Sequence, residues 1–381
     1  MKPIQLLILA FLLGAGTLSH AASNNGIDKK SDDDLTKFAK QIEASIQNDN
    51  PSYFTQCFDN DALVLKIVDK SDTADLDEFE RGFRYGFGSG FDPGTNVLEE
   101  VGDKGKYTFL HSVKRGDQTT ILFRIVTDDN IDYHEYMVEN VDNEYKITDV
   151  LIYNSGLWLS QILKDFYQGF STIIVPGGSD GSNFLTGMKN ARKIQKLASR
   201  DKFGRAYKKF SELPWTLRSQ YMFQVMGMRI ASHLDSDICM SEYNQFVDNM
   251  PSHGGTYLIA LQSFVVNQNQ NMALKCVDSL DHYIEGDPFL NMLRANLYFQ
   301  EKDFDQAEIR LRALIEDMPD YEEGYFSLLG LYLQTKDYSC ATGLLDQMTE
   351  NFNYYKEDVK TLLQEYPDFV ASKEYQNWIA K

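Results

Sequence analysis

The sequence predicts two domains: an N-terminal α+β domain, made of helices and a curved antiparallel sheet, and a C-terminal all-α array of helical hairpins. Three observations carry this. Over the C-terminal half, apolar residues recur every 34 residues. Between 106 and 153, four runs alternate at a period of two and are separated by turn residues. Between the two patterns lies Val175-Pro176-Gly177-Gly178-Ser179-Asp180-Gly181-Ser182, the strongest linker composition in the chain.

The helical repeat is read directly. Tyr257, Leu261, Phe264, Ala273, Val277 and Leu280 are matched by Asn291, Ala295, Tyr298, Ala307, Leu311 and Leu314, and again by Tyr325, Leu329, Tyr332, Ala341, Leu345 and Met348. The inter-helix turn recurs as Gln300-Glu301-Lys302-Asp303-Phe304 and Gln334-Thr335-Lys336-Asp337-Tyr338. The first helix carries apolar residues at i, i+4 and i+7, as in Tyr257, Leu261 and Phe264. The second carries an alanine where two helices approach closely. One hairpin cannot cover its own apolar face, so neighbours must stack. The same register continues upstream through Phe223, Gly227, Ile230, Cys239, Tyr243, Phe246 and Pro251, and in degenerate form through Ala206, Phe210, Leu213 and Pro214. The order in Ala295, Tyr298, Ala307 and Pro319 resembles the tetratricopeptide repeat family, with departures at Asn291 and Asn353. That resemblance implies a superhelical array whose first helices line a concave groove. The tail from Tyr366 to Trp378 reads as a capping helix.

The N-terminal region is read in order. Residues 1–21 form an export signal: Lys2, the apolar run Ile4–Leu13, then Ser19-His20-Ala21 at cleavage spacing. Residues 22–31 are a polar leader, 32–170 the α+β domain, 171–183 the linker, and 184–381 the helical array. Asp32–Gln47 is an amphipathic helix on Leu35, Phe38, Ile42 and Ile46. A short helix follows Asn50-Pro51, a third covers Asp61–Val68, and a fourth covers Asp75–Gly86. Strands follow at Lys106–Lys114, Thr119–Thr127, Ile131–Asn140 and Glu144–Tyr153, then a helix at Leu157–Phe170. This element order resembles the cystatin-like and NTF2-like α+β cone. The stretch from Tyr133 to Ser160 also resembles the front domain of secreted tetratricopeptide proteins, a resemblance that implies no activity.

Composition narrows the function. The formal charge is −19, and loss of residues 1–21 removes one lysine and leaves −20. Such a balance opposes contact with a nucleic-acid backbone. No apolar run is long enough to span a bilayer. The expectation is a periplasmic or secreted protein without a membrane span. Cys57, Cys239, Cys276 and Cys340 match no zinc or thioredoxin spacing. Export admits a disulfide, and Cys239 with Cys276, on adjacent repeats, is the pair to test.

No catalytic constellation, metal-ligand spacing or cofactor loop stands out, so the leading expectation is a non-enzymatic interaction module or scaffold. Its groove would be lined by Leu258, Gln262, Val265, Met292, Asn296, Phe299, Phe326, Gly330 and Leu333. This apolar set, with amides, suits a peptide or a partner domain. The Lys and Arg that the family uses to clamp C-terminal carboxylates are missing there. The alternative is small-ligand binding or acid–base chemistry in the cone. There His134 and Tyr136 share a strand face and Asp149 lies on the next strand. A second alternative is a self-associating structural envelope protein, which would make homo-oligomers. Arg115-Gly116-Asp117 matches the integrin-type adhesion tripeptide but sits where a hairpin needs Gly and Asp anyway.

Overall fold

A computed structural model describes residues 29–67, 81, 91–127, 131–164, 179–249, 254–352 and 354–380. The signal segment, most of the helix expected over Asp75–Gly86 and the first half of the linker lie outside the described residues. By packing, the described chain divides into two compact units, one ending at Glu285 and one running from Gly286.

The first unit opens with α1 (Lys29–Gln47), α2 (Ser52–Gln56), α3 (Asn60–Ile67) and α4 (Pro93–Val101). The predicted stripe of α1 is buried as Leu35, Phe38, Ile42 and Ile46. Helix α4 was not expected. Its start is nonetheless written locally, because Asp92 accepts the Thr95 N–H at 3.1 Å and Pro93 occupies the first turn.

An antiparallel sheet follows, in the order β1 (Lys106–Arg115), β2 (Gln118–Val126), β3 (Ile131–Val141), β4 (Glu144–Ile152) and β5 (Leu157–Trp158). Two residues turn β3 into β4: Asp142 and Asn143 have φ of 53° and 68°, the left-handed pair that matches strand twist. Bulges fall between Phe109 and His111 and at Met137/Val138. The sheet has five strands where four were expected. The helix expected from Leu157 starts two residues late because Leu157 pairs with Ile152 and Trp158 with Leu151. One sheet face packs on α1, α2 and α4 through Tyr107, Phe109, Ile121, Phe123, Tyr136 and Val138.

The rest of the first unit is helical: α5 (Ser179–Ala198), α6 (Phe203–Ser211), α7 (Trp215–Arg218), α8 (Tyr221–Ala231), α9 (Ser236–Asn249), α10 (Gly254–Val266) and α11 (Gln270–Tyr283). Helix α5 thus begins at Ser179, inside the segment read as linker. The second unit contains α12 (Leu290–Gln300), α13 (Phe304–Asp317), α14 (Glu322–Thr335), α15 (Tyr338–Phe352), α16 (Lys356–Leu362), α17 (Pro367–Val370) and α18 (Lys373–Ala380).

The repeat has a local cause that the structure makes explicit. The second helices begin at Ser236, Gln270, Phe304 and Tyr338, each 34 residues after the last. Each is preceded by an Asx residue that accepts an N–H three positions on: Asp235 from Ile238, Asn269 from Met272, Asp303 from Gln306 and Asp337 from Cys340. In three of the four, a left-handed residue comes first: Gln268, Lys302 and Lys336, with φ near 60°. There the first helix closes with an i→i−5 bond, as in Asp303 N–H to Tyr298 O at 2.9 Å. Turn chemistry therefore fixes where one helix stops and the next starts. Packing follows: Ala273, Ala307 and Ala341 are all fully buried. The expected cap is present in the second unit, where Trp378 is buried and donates Nε1–H to Asp346 at 2.7 Å. Among the described residues no strand occurs after Trp158.

All four cysteines are free, with Cys57, Cys239 and Cys276 buried. Burial raises the Cys57 thiol to about 11 and the Cys239 thiol to about 12, which keeps both as inert thiols at neutral pH.

Candidate functional site

The sheet places a stripe of side chains on one face of β3, because residues two apart point the same way. Asp132, His134 and Tyr136 form that stripe, and α4 brings Glu100 over it. His134 Nε2 lies 3.6 Å from Glu100 Oε2 and 3.7 Å from Asp132 Oδ2. One ligand atom from each residue falls within 4.8 Å of the others. The His134 and Asp132 side chains are 3% and 1% exposed, while that of Glu100 is 35% exposed and stands at the solvent edge.

Asp132 and His134 are held from behind. Asp132 Oδ1 accepts two backbone N–H groups, Tyr133 at 2.7 Å and Asn154 at 2.8 Å. His134 Nδ1 lies 2.9 Å from the Tyr136 hydroxyl, which in turn accepts the Tyr107 hydroxyl at 3.1 Å. Phe54, Phe58 and Phe123 pack edge-on around the Tyr136 ring. The front atoms are bare: Asp132 Oδ2 and His134 Nε2 are buried with no hydrogen-bond partner. Burial, and then the charge of Glu100, push the Asp132 carboxyl well above the usual carboxylate range. Burial pulls the His134 imidazole down to about 3, so it is neutral near pH 7.

A bare buried polar atom costs about 1–3 kcal/mol. Asp132→Asn keeps the Oδ1 acceptor and replaces a desolvated acid with an amide that can face His134. The expected result is a higher thermal midpoint for the variant than for the parent, both measured by calorimetry in chelator.

The sequence grouped His134 and Tyr136 with Asp149. The first two do meet, but Asp149 does not join them. In the strand register Tyr136 pairs with Val150 while Asp149 pairs with Met137, on the opposite pleat. Asp149 instead accepts Ser160 Oγ–H at 2.5 Å and the Ser160 N–H at 3.1 Å. Its place beside His134 belongs to Asp132 and Glu100. Asp132 was legible as the i−2 neighbour on the same strand face. Glu100 was not, because its helix was not expected.

The other sheet face is buried too. Glu135 is 1% exposed and accepts Thr120 Oγ1–H at 2.7 Å, Tyr153 O–H at 2.7 Å and Arg115 Nε–H at 3.3 Å. Arg115 also donates to Tyr283 O at 2.8 Å and lies 3.9 Å over the Tyr283 ring. The Arg115 side chain of the adhesion-like tripeptide is thus committed within the chain. Asn154, after β4, receives Arg229 from α8 on its backbone carbonyl at 2.9 Å and Gln262 from α10 on its Oδ1 at 2.5 Å. Glycines let this seat close. A Cβ on Gly254 would lie 1.9 Å from the Tyr153 ring, and one on Gly156 (φ +70°) would overlap the Tyr221 hydroxyl and approach Ile259 to 2.6 Å.

This seat bears on the expected groove. In the first unit Leu258 is fully buried and Gln262 is 7% exposed and bonded to Asn154, while Val265 is half-buried. Leu258 and Gln262 are therefore not open to an external peptide. In the second unit Met292 and Leu333 are buried at 8% exposure, and Asn296, Phe299, Phe326 and Gly330 are half-buried.

Fold and site together define a class in coarse terms: an α+β region with a five-stranded antiparallel sheet, followed by helical hairpins, with no described helix long and apolar enough to cross a membrane. Comparison with family models, with curated proteins and with solved structures finds no match to this chain.

Proposed function

We propose that this is a non-enzymatic, periplasmic or secreted scaffold whose tetratricopeptide-type hairpins hold polypeptide against their first helices. The observation that carries the reading is the use of this face in cis. Gln262, one of the first-helix amides, takes the side-chain carbonyl of Asn154, and Arg229 from the preceding first helix takes its backbone carbonyl. An irregular segment bound through its carbonyls by amide and guanidinium donors is a mode that such helices can also offer to another chain. In the second unit the matching register position is Asn296, half-buried beside the half-buried Phe299 and one repeat before Phe326. These three are the residues we assign to a partner peptide or domain.

The test is affinity capture of the mature chain from its own exported fraction, with identification by mass spectrometry. Asn296→Arg combined with Phe326→Glu is expected to lose the main partner while circular dichroism stays that of the parent. A folded double variant that keeps every partner contradicts the assignment.

A further inference from the structure

We propose that Glu100, Asp132 and His134 form a binding site for a divalent first-row transition-metal ion of the zinc, manganese or ferrous class, held by one oxygen of each carboxylate and by His134 Nε2. This goes beyond the scaffold reading and does not depend on it.

The donor set carries the class. One imidazole with two carboxylates is a mixed N/O set, which suits these ions better than magnesium or calcium, which take oxygen alone. Spacing agrees. Ligands at about 2.1 Å from a tetrahedral ion lie about 3.4 Å apart, and the two contacts of His134 Nε2 are 3.6 and 3.7 Å. All three ligand atoms lie within 4.8 Å of one another. The orphaned atoms agree as well. Asp132 Oδ2 and His134 Nε2 are the front atoms of side chains otherwise fixed, and both are buried and unpartnered. A cation between them supplies the missing partner to each and balances the two carboxylate charges.

The surrounding residues have the form of a second shell. With its proton on Nδ1, His134 donates to the Tyr136 oxygen and turns the Nε2 lone pair toward the carboxylates. Asp132 is aimed by the Asn154 N–H, and Asn154 is itself anchored to α8 and α10. Glu100 at the solvent edge gives the entry path and leaves the outer coordination positions to water or to a small anion.

The experiment is calorimetric titration of the full mature chain, stripped with chelator, with zinc, manganese, magnesium and calcium chlorides. The expected result is one equivalent of zinc or manganese, with magnesium and calcium weaker by about a hundredfold or more. Glu100→Gln, at the solvent edge, is expected to fold like the parent and to lose binding. Tyr136→Phe is expected to keep the stoichiometry and weaken affinity about tenfold. The proposal is overturned if the parent takes up no saturable zinc or manganese, if it prefers calcium or magnesium, or if folded Glu100→Gln binds like the parent.

Discussion

Replacing Gly254 with alanine is expected to destabilise the first unit by about 3 kcal/mol, the upper end of the usual cost of overpacking. The sign is informative, because alanine in place of a helical glycine ordinarily stabilises by about 0.5–1 kcal/mol. Here the added methyl meets the Tyr153 ring at 1.9 Å and its Cζ at 2.4 Å. That ring cannot swing aside. It is fully buried, packs on Tyr133 and Tyr283, and its hydroxyl is tied to Glu135. Tyr153→Ala should remove most of the added cost, so a double-mutant cycle in denaturant returns a large coupling between two residues about a hundred positions apart in sequence. Additive effects would mean that α10 and the end of β4 do not touch.

Glu135→Ala is expected to cost about 3–5 kcal/mol, the range for breaking a buried charge pair. Three donors converge on this carboxylate, from β1, β2 and the end of β4. Removing it strands the Tyr153 hydroxyl in the interior, leaves the Thr120 hydroxyl only its 3.3 Å bond to Val113 O, and releases Arg115 from one of its two anchors. Arg115→Ala should cost less, since its side chain is one-third exposed and water can replace part of what it does. The measurement is equilibrium unfolding followed by tyrosine fluorescence. Equal effects for the two variants would contradict a Glu135-centred network.

Much of this architecture was legible because its causes are local. The 34-residue period is written twice over, in buried alanines and in the Asx caps at Asp235, Asn269, Asp303 and Asp337. The strands were legible because alternation and the Asp142-Asn143 turn set their ends. What was missed depends on distant chain. The Asp92-Pro93 start of α4 was a readable signal that was passed over, and with it went Glu100. Glu135 was not singled out, because its three partners come from β1, β2 and the end of β4 and no local pattern marks a buried carboxylate. Asp149 was grouped with His134 by its strand alone, and the register, which the bulge at Met137/Val138 shifts, pairs it with Met137 on the opposite pleat. Leu258 and Gln262 fit the groove pattern, and no local feature of the sequence shows that Asn154 occupies that face.

The central claim is that the end of β4 and the turn after it are seated on the first-helix faces of α8 and α10. Hydrogen-exchange mass spectrometry of the full chain, parent against Glu135→Ala, tests this most directly. The account predicts that peptides covering 144–156 and peptides covering 254–266 lose protection together. Faster exchange in 144–156 with 254–266 unchanged would contradict it.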